Sequence, residues 1–218
     1  MAVVLLDVGN VVARARHGIT HEILEDLGVP REAARQVFNL PQYADFSRGK
    51  IGGEDWYLAF LATLPQGKQE LLLHDFRTAH DQHIYDIDMG VLRIFHDLTI
   101  SRDNRIAVAT NTNGWQTHVI ETESSLDLEG LAAYGVYRSN QIRMLKQDPG
   151  YFEHVLAQIE RQKGSPLGPE NVYLVDDNMA NLGIAGRLGI HPVFYDISAG
   201  ISQASRKLRL DLEARGLL

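Results

Sequence analysis

Three short apolar runs in the chain end in side chains that can do chemistry. Val3-Val4-Leu5-Leu6 is followed by Asp7, Ile106-Ala107-Val108-Ala109 by Thr110-Asn111-Thr112-Asn113, and Val172-Tyr173-Leu174-Val175 by Asp176-Asp177-Asn178. Runs of this kind read as fully buried strands. In open parallel sheets the chemistry sits at the carboxyl ends of the strands. A carboxylate there is costly to bury without a partner, and Gly9 lets the backbone turn just beyond it. Asp7 is therefore the leading candidate for a reactive residue.

The adjacent acids Asp176 and Asp177 repel each other and need a counter-charge. A divalent cation supplies it, and Mg²⁺ favours one or two carboxylates completed by waters and phosphate oxygens. The competing reading makes Asp177 an N-cap for the next helix. Thr110 and Asn111 emerge where a strand gives way to a helix, which suits either an anion held at free backbone N–H groups or simple helix capping. Lys146 lies just before Pro149, which opens a helix. Most lysines are solvated surface charges, but this one stands at a strand-to-helix junction like the others. Taken together, the parts are a carboxylate nucleophile, a metal-binding acid pair, a hydroxyl–amide anion cradle and a lysine. Carboxylate attack on phosphorus with metal charge neutralisation is a coherent use of them.

Several elements must position these residues. Strands are expected at Val3–Leu6, Ile106–Ala109, Val172–Val175 and Pro192–Tyr195, with a weaker one at Gly135–Tyr137. Helical segments such as Pro149–Arg161 and Asn178–Leu188 separate most of them. That alternation predicts an α/β fold, a doubly wound, Rossmann-like parallel sheet. From about Arg16 to Asp86 no strand is expected. Amphipathic segments at His21–Leu27, Arg31–Phe38, Glu54–Leu64 and Lys68–His83 predict an inserted helical cap at residues 16–86, over the strand ends. The core is then residues 1–15 and 87–218. Gly28 and Pro30 suit a helix end and a helix start, and Gly49, Gly52 and Gly53 a turn.

Composition narrows the function classes. The chain has 218 residues, 44% apolar and 22% charged, as in ordinary globular proteins. A net charge of −7 gives no electrostatic footprint for nonspecific nucleic-acid binding. With no cysteine, thiolate catalysis, disulfides and Cys–zinc sites are excluded. No apolar stretch approaches the ~20 residues of a membrane span, and the first apolar run, ending at Asp7, reads as a strand rather than a signal. A cytoplasmic location is the expectation.

With these motifs in order, the chain resembles the haloacid dehalogenase (HAD) superfamily, in its phosphatase branch. Leu6-Asp7-Val8-Gly9-Asn10-Val11 is similar to the nucleophile loop and Thr110-Asn111-Thr112-Asn113 to the second motif. Lys146-Gln147-Asp148-Pro149 through Phe152 is similar to the lysine motif, and Asp176-Asp177-Asn178 to the metal motif. The helical insert resembles the C1 cap. Within the superfamily the chain is most similar to the α-D-glucose-1-phosphate phosphatase-like group, in the Asp-x-Gly-Asn-Val loop, the Asn-Thr-Asn and Asp-Asp-Asn patterns, and Phe46-Ser47-Arg48-Gly49-Lys50-Ile51. The resemblance implies a Mg²⁺-dependent phosphatase of a small phosphorylated metabolite such as a sugar phosphate. It implies Asp7 as the nucleophile that becomes an aspartyl-phosphate. Asp7, the Gly9 carbonyl and Asp177 would hold the metal, with Asp176 and Asn181 in or near its outer shell. Thr110 and Asn111 would hold phosphoryl oxygens, and Lys146 would bridge nucleophile and phosphate.

Two positions depart from the family. Gly9 stands where many such phosphatases have a second aspartate as general acid and base, a group that commonly supplies ~10²–10⁴-fold in rate. The glucose-1-phosphate-like group shows glycine there too, and an anomeric phosphate depends less on that acid. Gln147 stands where proline is usual, with little effect expected because Pro149 remains to start the helix. Without the general acid, a catalytically weak HAD-fold protein that binds a phosphorylated ligand or a partner is the alternative. A metal-free 2-haloacid dehalogenase stands further behind, because such enzymes lack the paired acids.

Other residues read mainly as structural. Arg14 and Arg16 stand at the entrance to the insert, as surface charges or anion contacts. His80 and His83, near Asp81 and Asp86, have metal-compatible spacing but read better as marking the return to the core, where a histidine lines the cleft. His118 follows the second motif, and Gln116 takes the place nearer it where the related group often has a histidine. Trp56, Tyr57 and Phe60 read as core of the insert. Arg206, Lys207 and Arg209 read as a solvated helix face.

Overall fold

The computed structural model describes residues 2–65, 70–100, 104–124 and 126–218. The chain begins with β1 (Ala2–Leu6) and a short β2 (Ala13–Ala15), then enters a helical unit. That unit comprises α1 (His17–Asp26), α2 (Arg31–Gln36), α3 (Pro41–Ser47), α4 (Gly53–Leu61) and α5 (Leu73–Asp81). It returns through β3 (Ile84–Ile87) to α6 (Met89–Ile100), β4 (Asn104–Thr110), α7 (Gly114–His118) and α8 (Leu128–Leu131). Then follow β5 (Val136–Arg138), α9 (Ser139–Ile142), α10 (Tyr151–Lys163), β6 (Val172–Asp176), α11 (Met179–Arg187), β7 (His191–Phe194) and α12 (Ile201–Ala214).

Five strands form one parallel sheet in the order β5-β4-β1-β6-β7. The fold is the expected α/β, Rossmann-like one. The central β1 is apolar on both faces because both faces are covered. Val4 and Leu6 join the layer containing Phe95, Leu98 and Leu208, while Val3 and Leu5 join the layer containing Phe152, Val155 and Leu182. Because β4, β1 and β6 run side by side in the same direction, their carboxyl ends bring Thr110, Asp7 and Asp176 to one edge. The edge strands β5 and β7 each sit one residue away from the expected ranges, within the usual scatter of element ends.

The helical unit has its own apolar centre, around Leu24, Val37, Trp56, Phe60 and Phe76. Trp56 and Phe60 are thus core, as expected, and the Tyr57 hydroxyl donates to the Leu71 carbonyl at 2.6 Å. Two features differ from the expectation. The stretch 16–86 does contain a strand, β3, paired antiparallel with β2. These strands are three and four residues long, and β3 exposes Tyr85 and Asp86, so they lack a readable alternation. Helix α3 is a fifth helix, outside the four expected segments; Pro41 at its first position starts it. Helix α1 starts at His17 rather than His21, and α5 at Leu73; the expected start at Lys68 lies outside the described residues.

The ribbon is pinned to the sheet by Arg14. This residue is buried, pairs with Asp88 and receives further support from the Tyr195 hydroxyl at 3.1 Å. It is a structural ion pair, not an anion contact. Arg16 is exposed and approaches Glu22 at 3.6 Å. The helical unit also meets the sheet side closely. Arg48 donates to both oxygens of Asp148 at 2.6 Å, and the Ser139 hydroxyl donates to the Ser47 carbonyl at 2.7 Å. Gly49 and Gly53, expected simply as turn residues, are contact points: a Cβ would lie 2.1 Å from the Asn140 carbonyl oxygen and 2.2 Å from the Trp115 ring, respectively. Among the described residues no helix is long and apolar enough to cross a membrane.

Gly49 also has a φ of +62°, whereas at Gly28, with a φ of +85°, a Cβ would meet nothing within 4 Å. Gly49→Ala is expected to lower stability by ~1–3 kcal/mol in urea unfolding, because strain and a backbone clash add. Gly28→Ala is expected to cost less, through strain alone.

Candidate active site

The sheet edge opens into a cavity of about 350 Å³, within the usual range for small-molecule sites. Asp7, Gly9, Asn111, Lys146 and Asp177 line its floor, together with Asn181. The helical unit closes the other side with His17, Tyr43, Ser47 and His83. Five expected site residues therefore converge on one space.

Lys146 is fully buried, and its Nζ lies 2.7 Å from Asp7 Oδ1 and 2.7 Å from Asp176 Oδ2. Burial pushes its pKa down, but the two carboxylates outweigh that and raise it, so it stays an ammonium. Asp7 has its pKa pushed up to about 7, first by burial and then by Asp176 and Asp177, against the lowering effect of Lys146. Asp177 is raised for the same reasons, burial and Asp176, and hydrogen-bonds Asn10. Asn10 takes a φ of +55°, a left-handed turn that asparagine tolerates.

The carboxylate oxygens of Asp7, Asp176 and Asp177 lie within 4.8 Å of one another. Three acids facing one ammonium leave negative charge uncompensated, and their hard oxygen donors suit Mg²⁺. The residues present thus fit a divalent cation. The acid pair is divided in position. Asp177 lines the cavity, while Asp176 is wholly buried and holds Lys146, the Asn178 N–H at 2.8 Å and the Asn181 amide at 3.0 Å. The N-cap of α11 is Asn178, not Asp177, so the capping alternative for Asp177 is set aside.

The second motif also divides. Asn113 caps α7, accepting from the Trp115 and Gln116 N–H groups. Asn111 lines the cavity. Thr110 does not: it is buried and lines a separate void of about 10 Å³ with Val8, Thr112 and Thr117. The strand's alternation puts Thr110 in register with Val108, on the opposite face from Asn111.

Histidines 80 and 83 form no metal cluster with Asp81 and Asp86; among the described residues Asp7, Asp176 and Asp177 are the one such group. His80 is buried among aromatic rings, with its Nδ1 2.9 Å from Asp81. His83 does line the cavity. Its Nδ1 meets the His80 carbonyl and its Nε2 lies 3.0 Å from the Gln116 amide nitrogen, so a neutral ring donates from Nδ1 and accepts at Nε2. Burial lowers its pKa to about 3. Gln116 also donates to the Tyr43 hydroxyl at 3.3 Å. Outside the cavity, Arg209 pairs with Asp97. Tyr43, Ser47 and His17 were not identified from sequence. Tyr43 and Ser47 come from α3, and the Phe46–Ile51 resemblance was the available pointer to that region.

No family model and no curated protein matches this chain. Solved structures do. A HAD family enzyme from Bacteroides thetaiotaomicron, in complex with magnesium and inorganic phosphate, superposes with a TM-score of 0.71 at 16% identity, over 90% of this chain and 94% of that one. A predicted HAD-like family hydrolase from Porphyromonas gingivalis gives 0.72 at 19% identity, over 95% and 97%. CbbY from Rhodobacter sphaeroides, in complex with phosphate, gives 0.57 at 16%, over 89% and 86%. The chain carries the HAD-like fold.

Burial of Asp7 has a stability consequence. Its carboxyl binds a proton more tightly folded (about 7) than at its ordinary 3.8, so the folded state holds the extra proton between those values. Stability of the divalent-free protein is expected to fall as pH rises from about 4 to about 7. Asp7→Asn removes that penalty. It should raise the melting temperature at pH 8 by at least about 2–4 °C, the shift of ~1 kcal/mol in a chain of this size, with a smaller gain at pH 5. Calorimetric scans in chelator check both.

Proposed function

We propose that the protein is a Mg²⁺-dependent phosphatase of a small phosphorylated metabolite, acting through an aspartyl-phosphate on Asp7. The observation that carries the reading is Asp7 at the floor of the cavity, 2.7 Å from a buried ammonium and within 4.8 Å of two further carboxylates. That constellation suits attack on a group that brings its own negative charge. Asp7, Asp177 and the Gly9 carbonyl would hold Mg²⁺, which when bound neutralises charge on the phosphoryl oxygens. A carboxylate oxygen of Asp7 forms the new bond to phosphorus as the ester oxygen leaves and takes up a proton. Water then cleaves the acyl phosphate and frees Asp7. Lys146 stays between Asp7 and the transferred group and offsets their repulsion. Magnesium and phosphate in the Bacteroides enzyme of the same fold support this reading. The helical unit acts as the cap that shapes the leaving-group side.

That side is neutral. Asn10, His17, Tyr43, Ser47, His83 and Gln116 line it, and burial lowers the pKa of both histidines. Lys146 is the one cation among the described lining residues, and it is already paired. The substrate is accordingly a monophosphate with an uncharged, hydroxyl-bearing remainder, as in a sugar phosphate. Neutral His83, with both nitrogens engaged, does not replace the missing general acid.

Phosphate release from a metabolite panel with Mg²⁺ tests the reading. Uncharged-remainder monophosphates should be hydrolysed, and chelator or Asp7→Asn should reduce release to background. Turnover that survives Asp7→Asn contradicts the nucleophile, and Mg²⁺ binding with no turnover favours the binding-protein alternative. A Cβ at Gly9 has nothing within 4 Å, so a side chain can leave the backbone there without a clash. Gly9→Asp is expected to speed hydrolysis of alkyl phosphates by ~10²–10⁴-fold and of p-nitrophenyl phosphate much less, since its leaving group needs no proton.

A further inference from the structure

Gln147, which stands where proline is usual, is exposed and joins a closed ring of hydrogen bonds through Asn111 and Asn181, which line the cavity. The Lys146 N–H donates to Asn111 Oδ1 at 2.8 Å. Asn111 Nδ2 donates to Gln147 Oε1 at 3.0 Å, and Gln147 Nε2 donates to Asn181 Oδ1 at 2.6 Å. Asn181 Nδ2 donates to both oxygens of Asp176 at 3.0 Å. Asp176 then accepts from Lys146 Nζ at 2.7 Å, which returns the ring to the residue where it began.

The polarity of this relay is forced. A backbone N–H only donates, so Asn111 must turn its oxygen to Lys146 and its nitrogen to Gln147. Gln147 must then accept on one side and donate on the other, and Asn181 must turn its nitrogen to Asp176. The far end, a carboxylate, only accepts, so both ends demand the same direction. An amide is needed at 147: it passes the direction on, whereas a carboxylate accepts on both sides and a proline provides no side-chain group.

We infer that Gln147 is a positioning residue: it orients Asn181 so that an N–H₂, never an oxygen, faces Asp176, and thereby holds the acid cluster in the arrangement that binds the divalent cation. The inference rests on the metal reading of that cluster. Gln147 is not among the residues lining the cavity, so it acts through Asn181 and Asn111.

Gln147→Glu keeps size and shape but presents an oxygen to Asn181 Oδ1, so the Asn181 amide must turn and set its oxygen against Asp176. Gln147→Met keeps the length and imposes no direction. Binding is read without substrate, by calorimetry with Mg²⁺ and by electron paramagnetic resonance with Mn²⁺, with melting curves as a check on folding. Gln147→Glu is expected to bind ~10–100-fold more weakly, as for lost outer-shell partners of a metal site, with Gln147→Met in between and KM at saturating Mg²⁺ changed less than kcat at low Mg²⁺. Folded Gln147→Glu that binds as tightly as the wild type overturns the relay alone. Equal losses in the Glu and Met variants overturn the role of direction and leave a packing residue. A wild-type protein that binds neither ion overturns the metal reading, and the inference with it.

Discussion

Lys146 is fully buried, and its Nζ lies 2.7 Å from a carboxylate oxygen of Asp7 and 2.7 Å from one of Asp176. A lone ammonium in that position would be prohibitively costly, and so would either carboxylate. Each is tolerable because the others are present. The order of the sheet meets this constraint. Strand β1 delivers Asp7, its neighbour β6 delivers Asp176, and the loop after β5 must reach back across β4 to insert the lysine. Removing the lysine would leave the three acids uncompensated, which is far more damaging than replacing the whole set by apolar residues, whereas neutralising one of the acids relieves their mutual repulsion. The cluster is therefore better understood as machinery than as a source of stability. Its raised Asp7 shows the cost the fold carries before a cation is supplied.

Around this centre the structure uses neutral polar groups. Asn111, Gln147 and Asn181 surround the acids without adding charge, and Gln116, Tyr43 and His83 join α7 of the core to α3 and the end of α5 in the helical unit. Close backbone approach at Gly49 and Gly53 and the Arg48–Asp148 pair seat that unit against the sheet. The cavity is thus built from both parts: charge comes from the strand ends, and most of the neutral wall comes from the insert.

Asp7, Lys146 and Asp177 were legible in the sequence because each follows or faces a buried strand end, where an ionisable side chain is conspicuous. The parallel sheet was legible for the same reason, as β1 and β6 are continuous apolar runs bounded by polar turns. Thr110 and Asn111 follow one another at the end of β4, so only one of the two lines the cavity, and the strand end alone does not say which. Helix α3 is short and β2 and β3 shorter, so periodicity had too few residues to register them. Arg14 looked like a surface cation because its partners, Asp88 and Tyr195, are 74 and 181 residues away. Gln147 appeared as a minor departure in a motif; its part in the relay depends on Asn111 and Asn181, which only the folded chain brings to it.

The central claim is that Asp7 accepts the phosphoryl group. Acid quenching during turnover of a hydrolysed monophosphate, followed by peptide mass spectrometry, tests it most directly. The account predicts a phosphoryl adduct on Asp7 that forms only with Mg²⁺ and is absent from Asp7→Asn. Steady phosphate release with Asp7 unmodified at every quench time, under conditions that preserve a reference acyl phosphate, would contradict it.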